Sequence, residues 1–278
     1  MGILAMTFRL ALIFLLGFLL SCGKQPASLL RVGQAPLYNF PLYISSSNGN
    51  IYKFNKDATS EVFASGLSDP RGIAIDKFQN LYVAEYGNSR VLKYNLNSGA
   101  QEIMMTGLDE PTSVAVDSFG DVYVTQEGAA TRNITRIKDQ KVVRTFSASP
   151  SAIAFGVDDL LLVGLFDSST VLWGGESSSP SDNVTEPVMI TTDSSGRVFV
   201  AEGTATNAKV YRYHQTAPTG KTVVADGLNG ATGIAVDPVG NIYIAEPGSS
   251  RIALATIDGL FYFWASVPQP QQLAFTPY

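Results

Sequence analysis

The stretch GLSDPRGIAIDKFQNLYVAEYGNSRVLKYN, residues 66–95, decides the fold, because it returns along the chain in recognisable copies. Aligning Pro70, Pro111, Pro150, Pro187, Ala231 and Pro270 gives steps of 41, 39, 37, 44 and 39 residues, the period range of propeller blades. In each copy a small or apolar run ends at Asp76, Asp117, Asp193 or Asp237. Turn chemistry follows, with Asn80, Gly120, Gly196 or Gly240 at the tight position. A β-rich run comes next, from Leu81 to Glu85, Val122 to Gln126, Val198 to Glu202 and Ile242 to Glu246. A third apolar stretch begins near Val91, Val210 or Ile252, and a fourth near Ile103, Val142, Val223 or Phe261. Four short strands per repeat make one blade, so the spacing predicts an all-β ring of four-stranded antiparallel blades.

Both ends of the chain fit a closed ring. After Trp264, the residues from Pro270 to Phe275 repeat the first strand of a blade and stop. Pro41 to Ile44 begin instead at a second strand, followed by apolar stretches at 51–54 and 62–64. One blade is therefore expected to be shared, with the C-terminal segment as its innermost strand. Blades covered on both faces by neighbours suppress polar and apolar alternation, which explains the nearly continuous apolar runs. Ala74, Ala115, Ala154, Ala235 and Ala274 recur between larger residues of the innermost strand, where sheets crowd towards the axis. With 45% hydrophobic and 15% charged residues in 278, there is ample material for such a core.

The pattern Pro-x-Gly-Ile-Ala-Val-Asp-x-x-Gly-x-Ile-Tyr-Ile-Ala-Glu, then Asn or Ser-x-Arg, resembles the NHL repeat. The array is similar to six-bladed NHL and gluconolactonase-like β-propellers over about residues 37–278. The match is strong in the copies starting at Gly66, Gly107 and Gly227, and good at Glu186. It departs at Ser149, where Gly156 replaces the Asp and Leu161 to Leu165 replaces the Tyr and the acid. The resemblance implies six blades and specifies fold better than chemistry.

Residues 1–21 are set apart from the propeller. Arg9 is their only charge, and Leu10 to Leu20 forms an apolar stretch that ends at Leu19-Leu20-Ser21-Cys22. This resembles a bacterial lipoprotein signal peptide with its lipobox, and implies acylation of Cys22. The apolar stretch is short for a spanning helix, which needs about 20 residues. Met6 is an alternative start, giving a more ordinary charged leader. Cys22 is the only cysteine, which excludes an intramolecular disulfide; the alternative reading is a free thiol in an ordinary leader. Gly23 after the cysteine points to the outer membrane by the enterobacterial sorting pattern. Residues 22–36 then read as the lipidated cysteine and a tether that lets the propeller stand off the membrane.

Without residues 1–21 the chain carries 18 basic and 24 acidic residues, a net charge of about −6. Nucleic-acid binding is not expected, because phosphate recognition needs a basic face and the basic residues are scattered. Anionic headgroups are disfavoured for the same reason, so membrane attachment is assigned to acyl chains alone. The expected partner is a protein, small molecule or glycan of the envelope, bound by a monomer.

The most suggestive constellation is the acid closing each second strand: Glu85, Glu202 and Glu246, with Gln126 equivalent. Ring symmetry brings these positions to one face. Three carboxylates there are candidate ligands for Ca²⁺ or another divalent cation, as the resemblance to gluconolactonase-like enzymes implies. The alternative is that each acid braces its own loop, with Glu85–Arg90 and Glu246–Arg251 sharing a five-residue offset. A residue recurring in every blade serves the repeat more often than one active site. The Glu-Gly-Pro start typical of such lactonases is missing; Glu110-Pro111 and Glu186-Pro187 read as turns. Amidating-lyase and virginiamycin-lyase-like propellers rely on histidine, and this chain has only His214, placed in a loop after Tyr213. Asp76, Asp117, Asp193 and Asp237 lack the pattern of calcium loops and read as turn residues accepting backbone N–H groups.

The copy from Ser149 to Glu186 is irregular: the acid is lost, and residues 174–183 interrupt the fourth strand. Phe166 and Asp167 are expected on the same face as the glutamates, and Arg71, Tyr86 and Phe166 are the first contacts to test if that face binds a ligand. The reading is a lipid-anchored propeller serving as a binding or scaffold module, since no catalytic set is assembled. The competing reading is a metal-dependent lactonase or hydrolase using the channel carboxylates.

Overall fold

The computed structural model describes residues 41–55, 59–174, 184–203, 206–213 and 220–276. The leader, the tether with Cys22, His214 and the 175–183 part of the irregular copy lie outside the described residues. Within them the chain forms six antiparallel sheets around an axis, with no α-helix. In chain order the blades are built on the inner strands Pro70–Ile75 (blade 1), Pro111–Val116 (blade 2), Pro150–Phe155 (blade 3), Pro187–Thr192 (blade 4) and Gly233–Val236 (blade 5). The sixth, closing blade pairs the C-terminal inner strand Pro270–Phe275 with Leu42–Ser46, followed by Asn50–Phe54 and Ser60–Ala64. Five blades have four strands; blade 3 has three among the described residues.

Packing follows from burying both faces of every sheet. Six clusters of buried side chains stand among the described residues, each shared by two neighbouring blades. Leu42, Ile44 and Leu273 of the closing blade pack with Tyr243, Leu254 and Trp264 of blade 5. Tyr43 and Ile51 pack on its other side with Ile73, Leu81 and Leu92 of blade 1. The closing blade thus bonds the ring on both flanks. The Gln272 side chain adds a polar tie, accepting the Ile73 N–H at 3.1 Å, and Ser45 Oγ donates to the Arg71 carbonyl at 2.5 Å.

In two of the inner strands, glycine allows a close approach to the neighbouring strand. A Cβ on Gly233 would lie 2.2 Å from the Gln271 carbonyl oxygen, and one on Gly72 would lie 2.6 Å from Ser113 Cα. The alanines sit further along and border a cavity of about 410 Å³ with Ile75, Val116 and Phe155, its wall completed by polar residues such as Thr191, Asp193 and Thr276. Gly233→Ala is therefore expected to force the inner strands apart and cost about 1–3 kcal/mol. Denaturant unfolding checks this, and an unchanged midpoint would contradict the close approach.

The four repeated aspartates hold the hairpin turns between inner and second strands. Asp76 Oδ1 accepts the N–H groups of Phe78 and Asn80 at 2.8 and 2.9 Å. Asp117 does the same for Phe119 and Asp121, Asp193 for Ser195 and Arg197, and Asp237 for Val239 and Asn241. This is the local competition for backbone donors that makes Asp a turn former.

Candidate functional site

At the opposite end of the axis, the residue before the aligned proline, or before Ala231 in blade 5, is left-handed in five blades: Asp69, Glu110, Glu186, Gly230 and Gln269. This kink turns the preceding loop inward, towards the end of the second strand. There the repeated acids are consumed. Glu85 is fully buried and accepts the Ser68 N–H at 2.7 Å, Asn88 Nδ2 at 2.6 Å and the Arg90 guanidinium. Glu246, also fully buried, accepts the Asn229 N–H at 3.0 Å and both Nε and an Nη of Arg251 at 2.8 and 2.9 Å. Glu202 accepts the Thr185 N–H at 3.2 Å and the Tyr211 hydroxyl at 2.9 Å. Burial, then that carboxylate, pushes the Tyr211 phenol well above its usual range. Gln126 Oε1 accepts the Asp109 N–H at 2.8 Å while its Nε2 donates to Asn133 and Thr135.

All four accept the backbone N–H of the residue seventeen positions earlier. The two blades without the acid show why it is there. In the closing blade the corresponding loop residue is Pro268, which has no N–H, and the acid's place is taken by Ser46, whose hydroxyl donates to the Pro268 carbonyl at 2.5 Å. In blade 3 the position is held by Leu165, which cannot accept, and the residue seventeen positions earlier is Ala148; Asp167 instead ties the next loop residue, accepting from the Ser149 N–H and Oγ at 3.2 and 2.8 Å. The acid column therefore pins the backbone of the incoming loops to the strand ends, each buried acceptor finding its partner in a loop N–H. Among the described residues, no group of three or more His, Cys, Asp or Glu side chains is placed to hold a metal ion.

The mouth itself is lined by other residues. A cavity of about 310 Å³ is bordered by Arg71, Thr112, Ser151, Val188, Thr232 and Gln271, the residue after the aligned proline or Ala231 of each copy. Asp69, Glu127, Ser149, Phe166 and Gln272 complete the wall. Arg71 pairs with Asp69 Oδ2 at 3.0 Å and stacks 3.3 Å above the Tyr86 ring centroid. Of the sequence-nominated residues, Arg71 and Phe166 thus border the mouth and Tyr86 supports Arg71 from outside the cavity wall, while Glu85, Gln126, Glu202 and Glu246 turn away into their loops.

Glu127 was not singled out from sequence. It follows Gln126 once, outside the repeated column, so periodicity carries no signal for it. Burial pushes the Glu127 carboxyl up, against the opposing Arg71 guanidinium, with Glu110 and Asp167 raising it further. A carboxyl that binds its proton more tightly in the folded than the unfolded state stabilises the fold below the unfolded carboxylate range, and that contribution is lost as pH rises through the folded value. Glu127→Gln is accordingly expected to melt higher than the parent at neutral pH, with the difference closing as the pH is lowered. A lower melting point at neutral pH would contradict this.

Comparison with known proteins places the fold. No family model matches the chain, and no curated protein matches it. Among solved structures, a chain of the nidogen/laminin complex matches at 13% identity and TM-score 0.74, over 85% of this chain and 98% of that one. A streptogramin B lyase matches at 15% identity and TM-score 0.62, over 86% and 88%. Virginiamycin B lyase from Staphylococcus aureus matches at 18% identity and TM-score 0.56, over 74% and 77%. At these identities the comparisons define a class by fold alone: the chain is a six-bladed β-propeller.

Proposed function

We propose that this propeller is a lipid-anchored binding module of the bacterial cell envelope, with the polar mouth as its recognition site. The observation that carries the reading is the division of labour at the ring's polar end. Residues repeated by rule are buried in bracing contacts, whereas Arg71, Glu127 and Phe166 are particular to their blades and border an open cavity. One aromatic ring amid both signs of charge fits recognition of a polar partner surface or a glycan. That a nidogen/laminin complex contains a similar propeller supports a protein partner. The anchor belongs to the proposal too, resting on Ser21-Cys22 after the apolar leader; two signals or several acyl chains give stable attachment.

A photo-crosslinking residue at position 166, in cells producing the full chain, tests the recognition site. A discrete adduct is expected, and its absence at every growth condition tried would sink the proposal. Metabolic labelling with a fatty acid tests the anchor: label is expected on the parent and lost in Cys22→Ser. For the competing metal-hydrolase reading, thermal melting with Ca²⁺ or Zn²⁺ and after chelation decides. The bracing geometry predicts no shift; a metal-dependent rise would revive that reading.

A further inference from the structure

We propose that the face carrying the hairpin turns, opposite the polar mouth, lies against a lipid bilayer and grips it through apolar turn tips. Two residues after the repeated aspartates stand Phe78, Phe119 and Val239, which are 61%, 82% and 65% exposed. Val157 in the matching turn of blade 3 and Ile257 in a neighbouring turn of blade 5 are also exposed. The turn asks only for the backbone N–H of this position, donated to the aspartate, and blade 4 meets that need with Ser195. The apolar side chains at the other tips exceed what the turn demands, and they gather on one face of the ring instead of being scattered singly over the surface.

The position of the chain entry names the occupant. Strand Leu42–Ser46 runs from this face to the mouth, and the Pro41 carbonyl accepts the Thr276 N–H at 3.2 Å, so the chain enters the propeller at Pro41 on the side of the tips. A propeller anchored through Cys22 and drawn down to the bilayer, instead of standing off on its tether, meets the membrane with these tips first, a step that rests on the lipid-anchor reading above. Tips spaced around a ring suit a bilayer, which takes up each side chain singly. With a net charge of about −6, the contact is apolar rather than electrostatic and should withstand salt. The polar mouth then faces away from the membrane, available to a partner.

The test uses the full lipidated chain in zwitterionic phosphatidylcholine vesicles with brominated acyl chains. Since Cys22 is the only cysteine, Phe119→Cys and, separately, Phe166→Cys each introduce one thiol for a polarity-sensitive dye. Emission from position 119 is expected to shift blue and be quenched, with or without added salt, while that from 166 is not. Equal, unquenched emission at both positions would mean that the propeller hangs free on its tether, and quenching at 166 alone would mean the opposite face; either overturns the proposal. Dye self-quenching at 119 without a bromine effect would assign the face to a second copy and also overturn it. The mass of the Cys22 peptide reports the anchor independently. An unacylated chain that floats with vesicles and is quenched at 119 keeps the lipid-facing surface and drops the anchor, whereas one that does not float sinks both.

Discussion

Removal of residues 270–278 is expected to abolish the cooperative unfolding transition of the propeller. The deleted strand supplies the inner edge of the closing blade, pairing Leu42 with Phe275, Tyr43 with Ala274 and Ile44 with Leu273. It also carries the Gln272 contact to blade 1 and the Leu273 contact to blade 5. Without it, two neighbouring inner strands lose their cover, and the buried Leu42 and Ile44 meet water. A milder probe keeps the result interpretable. Leu273→Ala deletes a side chain only 2% exposed and should cost about 2–5 kcal/mol. For a domain of this size that lowers the melting point by roughly 4–20 °C. A truncated chain that melts like the parent would show that the ring does not depend on its own C-terminus.

Loss of the Glu246 carboxylate should be nearly as damaging. Glu246→Ala leaves the Asn229 N–H without its acceptor and strands Arg251, whose side chain is only 19% exposed. Breaking a buried pair by removing one partner costs about 3–5 kcal/mol, because the remaining charge is uncompensated. Arg251 keeps some access to solvent, so the lower end of that range is the expectation. Glu246→Gln retains an acceptor for the backbone donor and should recover part of the loss. The melting points of both variants, with and without chelator, give the answer. Destabilisation that appears only when Ca²⁺ is present in the parent would instead mark the residue as a metal ligand.

The ring and its closure were legible because they rest on spacing: the copies from Pro70 to Pro270 announce the blades, and a first strand without a sequel matches a second strand without a predecessor. The role of the acids was half legible. Glu85 with Arg90 can be paired from sequence, but the backbone donors at Ser68, Asp109, Thr185 and Asn229 emerge only when the left-handed kink brings each loop to the strand end. Even the exception at Ser46 has a sequence cause, since Pro268 removes the donor that an acid would serve. Glu127 and the tips at Phe78 and Phe119 were hidden for the opposite reason. They are not demanded by the repeat, and periodicity reveals only what the repeat demands. Blade 3 lies between these cases: its lost acid was visible, whereas the hold of Asp167 on Ser149, one residue beyond the usual donor, needed the geometry.

The central claim is that repeated residues maintain the ring while unrepeated residues at the mouth recognise a partner. The yield of the adduct formed from position 166, compared among the parent, Arg71→Ala and Glu246→Gln, tests it most directly. The account predicts an adduct in the parent, its loss in Arg71→Ala with an unchanged melting point, and its retention in Glu246→Gln at temperatures where that variant stays folded. An adduct that survives Arg71→Ala but disappears in folded Glu246→Gln would contradict it.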